Sequence, residues 1–226
     1  MIWVLLTLLV CALLFGPTLW VRSVMSRHSA DRPDFPGTGG ELARHLLDSA
    51  ELTDVIVEPS PAGDHYDPTD KAVRLTKANY EGRSLTAVAV AAHEVGHALQ
   101  DRDEYKPLKA RHRIVKAAAI TDTVGSVILF GLSFAGTAAA GPRLLILGVV
   151  AVIVMGLIRV AANLITLPVE LDASFKRALP ILEEGAYIKP DDVPAARGIL
   201  KAAAYTYVAA SAMQLLNFFR LLRGIR

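Results

Sequence analysis

Between Ala117 and Val169 the only charged side chains are Asp122, Arg143 and Arg159. Two such charge-poor runs, joined by "AAAGPR", restrict the chain more than any other feature. Each is long enough for a helix to cross a bilayer, where a helix satisfies its own backbone polar groups. Residues 1–21, "MIWVLLTLLVCALLFGPTLWV", carry no charge and reach the same length. A cleaved signal peptide would show a basic start and a shorter apolar core, so this run reads as a retained anchor. The expected fold class is therefore a mainly α-helical integral membrane protein.

The charged residues mark out the rest. Arg22 and Arg27 follow the first run directly, which places the next segment on the cytoplasmic side. Residues 22–116 read as a small α+β domain inserted between membrane helices. Within it "DRPDFPGTGG" is a linker, "ELARHLLDSAEL" has helical spacing, and "TDVIVEPSPAGDHYDPTDKAVRLT" gives strand, turn-rich connection and strand. A further helix follows over "SLTAVAVAAHEVGHALQDRDEY", with Ser84 as N-cap. Residues 117–169 are expected as a transmembrane hairpin and 170–198 as a returning helix and loop. Residues 199–226 are expected as a hydrophobic helix, spanning or interfacial. Two crossings bring residue 170 back to the side that holds 22–116. Net charge is only +2, which gives no reason to expect a nucleic-acid partner. Cys11 is the single cysteine, so an internal disulfide and a four-thiol zinc site are both excluded.

The chemistry is concentrated in "HEVGH", residues 93–97. Positions four apart lie one above the other on a helix, so His93 and His97 can address one ion. Glu94 is rotated by about 100° from His93 and falls beside that ion. A carboxylate there can take a proton from a polarised water and hand it to a leaving amine. Zinc, one ion per chain, is the cofactor expected from imidazole ligands without redox demand. Ala91, Ala92, Gly96 and Ala98 surround the motif and suit close packing. Polar residues caught on a packed helix are the alternative.

A catalytic zinc takes three protein ligands. Position 103 is Asp103, which rules out a third histidine six residues after His97. His28, His45, His65 and His112 lack a matching context, and His65 reads as a loop residue. On a helix over "RVAANLITLPVELDAS", Arg159, Asn163, Thr166 and Glu170 form one polar stripe. Glu170 is then either the third ligand or a residue at the membrane edge, with Pro168 interrupting the helix nearby. Tyr187, Tyr205, Arg177 and Arg197 follow as oxyanion candidates, and nothing in the sequence chooses among them. A zinc-binding membrane scaffold without protease activity and a small transporter or assembly factor are rival readings.

The combination of an N-terminal apolar run, "HYDPTDKAVRLT", "AVAAHEVGHALQ", an apolar hairpin and "LPVELDAS" resembles the YugP-type bacterial neutral zinc metallopeptidases. These are related to the HtpX and CAAX-prenyl-protease group. The resemblance covers roughly residues 1–220 and implies a zinc metalloendopeptidase of gluzincin type. It implies His93, His97 and Glu170 as zinc ligands and Glu94 as general base. It implies a peptide or protein substrate, a lipid bilayer as surroundings, and a bacterial plasma membrane location with the site facing the cytoplasm. It also implies that strand "KAVRLT" offers its edge to an extended peptide. The wider group often has Glu-x-x-Ala-Asp, whose aspartate braces a zinc histidine. Ser174 stands at that place here, and Asp172 is a candidate substitute.

Overall fold

In a computed structural model the protein is described over residues 2–134 and 137–206. Its helices and strands follow in the order α1 (Ile2–Arg27), α2 (Gly39–Ser49), β1 (Ile56–Pro59), β2 (His65–Asp67), β3 (Ala72–Leu75), α3 (Lys77–Glu81) and α4 (Leu85–Arg102). Then come α5 (Lys106–Phe134), α6 (Thr137–Asp172), a π-helical turn (Ala173–Ala178), α7 (Leu179–Glu184), a 3-10 turn (Pro190–Asp192) and α8 (Val193–Ala204).

Among the described residues no helix is long and apolar enough to cross a membrane. This corrects the integral-membrane fold class and the multi-pass plasma-membrane location. The described chain is mainly helical, with one small sheet. The helix boundaries do not follow the charge-poor runs, which is where the sequence argument went astray. Helix α5 begins at Lys106 and takes Lys109, Arg111, Arg113 and Lys116 into its first half, while α6 runs through Arg143 and Arg159 to Glu170 and Asp172. The count of crossings that placed residue 170 with the HEVGH helix falls with the spans. Residues 207–226, most of the expected C-terminal helix, lie outside the described residues.

The chain divides into two compact units. One gathers Met1–Pro17, Lys109–Thr166 and Tyr207–Arg226, and its described part is helical. The other joins Thr18–Leu108 to Leu167–Thr206 and carries the residues of interest.

The core of this second unit is α4. Every residue from Leu85 to Gln100 is buried, as expected of a helix that is apolar or small on all sides. Helices α2 and α8, the π turn and strands β2 and β3 pack around it. Ser84 caps its start, accepting a hydrogen bond from the Ala87 N–H at 3.1 Å. Helix α2 begins with a reciprocal cap. The Thr38 hydroxyl accepts from the Glu41 N–H, and the Glu41 carboxylate accepts from the Thr38 N–H.

The described sheet has the order β1-β3-β2, with β1 parallel and β2 antiparallel to β3. Strand β2 forms inside what the sequence reading took for an irregular connection. As a result β3 is central and paired on both sides, so "KAVRLT" has no edge to offer a peptide. Arg74 shows why this register is stable. It faces Glu58 and His65 in the register and donates to Glu58, Asp67 and Asp70 at 2.7, 2.8 and 2.7 Å. Its neighbours Val73 and Leu75 are fully buried.

Candidate metal centre

Helix α4 sets His93 and His97 one turn apart, with ring centroids 4.8 Å apart and the ring planes at 76°. Glu170 approaches from the last turn of α6. Its Oε2 lies 3.2 Å from Nε2 of both histidines. His93, His97 and Glu170 offer three ligand atoms all within 4.8 Å of one another. The three residues are 4%, 5% and 1% exposed, so this is an interior cluster.

Close approach of two backbones makes the convergence possible. A Cβ added at Gly96 would lie 2.8 Å from the Ala173 carbonyl oxygen, well inside contact distance. Glycine therefore lets α4 lie against the chain that carries Glu170 and Ser174. Those two residues are four apart, as the histidines are, and together they hold the His93 ring by its two nitrogens. Glu170 faces Nε2, and the Ser174 oxygen sits 3.0 Å from Nδ1.

The hydrogen-bond network decides where the imidazole protons are. Ser174 donates its one hydroxyl proton to the Leu200 carbonyl at 3.1 Å. Its oxygen therefore accepts from His93, and the His93 proton is on Nδ1. The Gln100 NH2 group donates to the Val169 carbonyl and to Asp172 Oδ2, each at 2.9 Å. That orientation turns the Gln100 carbonyl oxygen to His97 Nδ1, 2.9 Å away, so the His97 proton is on Nδ1 as well. With a proton on each Nδ1, Nε2 is the nitrogen that both imidazoles turn to the Glu170 carboxylate. A divalent cation can take a lone pair from each of these three atoms, which lie within 4.8 Å of one another. Four-coordinate zinc with ligands at its usual bond lengths places them roughly 3.3 Å from each other. The observed 3.2 Å contacts match that spacing, and two imidazoles with a carboxylate are a zinc-type donor set.

Burial alone would push the Glu170 carboxyl up, but the nearby His97 and His93 rings hold it well below the usual carboxylate range. A second charged pair lies behind the cluster. Arg177 donates to Asp172 at 3.1 Å and to Asp103 at 2.6 Å. Burial would lower the Arg177 guanidinium, yet these carboxylates raise it above its ordinary value.

Each residue singled out from the sequence now has a place. His93, His97 and Glu170 come together. Glu94 is on the same helix, buried at 6% exposed and next to the ligand pair. Ser174 itself braces His93, while Asp172 braces Gln100 and reaches no imidazole directly. Gln100 was missed, although its spacing three residues after His97 on a helix was visible. Arg177 is engaged by Asp172 and Asp103, Arg197 faces Glu183, and the Tyr205 ring meets Trp20 edge-on. Tyr187 bonds His45 at 2.9 Å, and both line a cleft of about 430 Å³ with Phe35, Leu42 and Val88. No member of the His93–His97–Glu170 cluster lines that cleft, and the lone-pair convergence is the stronger mark of chemistry. Among the described residues, His28, His45, His65 and His112 join no such cluster. Of the expected polar stripe, Arg159, Asn163 and Thr166 fall in the other unit.

A family model described as "Putative neutral zinc metallopeptidase" matches residues 2–226. A protein of Bacillus subtilis (strain 168) named "Putative membrane protease YugP" is 37% identical over 231 residues, spanning all of this chain and 96% of its own. No solved structure matches.

Proposed function

The chain belongs to the neutral zinc metallopeptidase family, and on that premise we propose that it hydrolyses peptide bonds at a gluzincin-type centre, holding one zinc ion with His93, His97 and Glu170 and using Glu94 as general base. The observation that carries this reading is the convergence of His93 Nε2, His97 Nε2 and Glu170 Oε2, all buried and within 4.8 Å of one another. Zinc bound there would supply Lewis acidity and lower the pKa of a water to about 7.

The protein's own groups do the rest. Ser174 and Gln100 hold both histidines in the tautomer that presents Nε2. Glu94 follows His93 by one residue, so its side chain leaves α4 about 100° away from the ligand face. It lies beside the donor set and does not complete it. As a carboxylate it takes a proton from the attacking water, and as the acid it returns that proton to the leaving amine nitrogen. Burial excludes competing solvent from this exchange.

The test compares zinc content and hydrolysis of an unfolded protein for the wild type, Glu94→Gln and His93→Ala. Glu94→Gln is expected to keep about one zinc per chain and lose roughly 100- to 10,000-fold in rate. His93→Ala is expected to lose both. Zinc loss in Glu94→Gln, or full activity in it, overturns the assignment of roles.

A further inference from the structure

We propose that Gln100 is a positioning residue: its side-chain amide, turned by Asp172 and the Val169 carbonyl, selects the His97 tautomer that can bind metal. The proposal rests on the zinc reading above and adds what fixes the end of the Gln100 amide that faces His97.

An amide can present either end to an imidazole. Turned one way, the Gln100 oxygen accepts from His97 Nδ1–H and frees the Nε2 lone pair. Turned the other way, its NH2 would donate to Nδ1, and the His97 proton would move to Nε2, where it blocks the ligand position. Gln100 is fully buried, so water does not arbitrate between the two orientations. Its far side meets only acceptors: the Val169 carbonyl and Asp172 Oδ2, each at 2.9 Å. Both demand the NH2 group, and that fixes the oxygen on His97. Arg177 in turn holds Asp172 as an acceptor by donating to the same Oδ2 at 3.1 Å. The acceptor that His97 sees is thus set through Gln100 by an ion pair beyond it. His93 is held differently, by a hydroxyl backed by a helix carbonyl.

This division predicts that zinc affinity and stability separate. Gln100→Met removes the acceptor from His97 and the donor from Asp172 and Val169. Gln100→Glu keeps an acceptor on His97 but sets a carboxylate against Asp172 and the Val169 carbonyl. Zinc affinity of the full chain is measured by competition with a chromophoric chelator, at a temperature where thermal unfolding shows every variant folded. Gln100→Met is expected to bind zinc roughly 10- to 100-fold more weakly, the usual effect of losing a partner behind a metal ligand. Gln100→Glu is expected to unfold at a lower temperature than the wild type while keeping zinc affinity within about threefold. Wild-type affinity in Gln100→Met overturns the proposal and leaves the zinc site standing. So does an equal loss in Gln100→Met and Gln100→Glu, which is what a purely structural role gives. A wild type that binds no zinc removes the functional reading, and this proposal with it.

Discussion

At the scale of single residues, the close approach of Gly96 to Ala173 lets α4 lie against the chain that carries Glu170. Gly96→Ala adds a methyl group where the Ala173 carbonyl already stands, 2.8 Å from the new carbon. Relief requires the π turn to move away from α4, and such overpacking costs about 1–3 kcal/mol. Glu170 and Ser174 move with it, so the variant is expected to lose zinc affinity as well as unfolding midpoint, read by chelator competition and urea denaturation. A variant that loses stability and binds zinc as well as the wild type would show that this contact does not set the ligand geometry. The same scale explains what the sequence made legible. His93 and His97 were readable because a four-residue spacing fixes their common face locally. Glu170 was narrowed only to a face, since a polar stripe does not say what stands opposite. Gln100 escaped because its partners, Val169 and Asp172, lie 69 and 72 positions away.

At the scale of elements, the π turn after α6 and the clasp before α8 deserve the most weight. An α-helix brings together residues three and four apart, whereas Asp172 and Arg177 are five apart and form an ion pair across the π turn. Around that wider turn one stretch of chain supplies Glu170 beside both imidazoles, the Ser174 brace for His93 and the Asp172 partner for Gln100. No local signal in "ELDASFKRA" announces it, because π turns form under tertiary packing. The clasp is Arg32, which bonds both oxygens of Asp34 and of Asp192 and so ties the segment before α2 to the 3-10 turn before α8. The Arg32 hydrogen bonds hold the Asp192 carboxyl below its ordinary range. A depressed folded-state pKa gives stability that is present above the unfolded pKa, about 4, and is lost as pH falls towards the folded value. Asp192→Asn is therefore expected to cost about 1 kcal/mol or less at pH 7 and to flatten the fall in stability below about pH 4. Urea denaturation at neutral and acid pH reads both effects, and an unchanged acid slope would count against the clasp.

At the scale of the whole molecule, the chain brings residues 18–108 and 167–206 into one unit although a long charge-poor stretch separates them. The helical character of that stretch, the capped helix of the motif and the mixed nature of the small domain were legible from apolar spacing and the Ser84 cap. The sequence misled on membrane crossing, because runs of uncharged letters do not mark where helices begin and end, and α5 and α6 extend well into charged sequence. It also missed the edge strand β2, which is three residues long and is held mainly by its register with β3. What unites the scales is a single centre where two separate segments deliver their donors to one point. X-ray absorption at the zinc edge of the purified full chain tests this most directly. The account predicts a shell of two imidazole nitrogens and one carboxylate oxygen at about 2.0–2.2 Å, losing the oxygen in Glu170→Ala. A wild-type spectrum without two imidazoles, or one unchanged by Glu170→Ala, would contradict it.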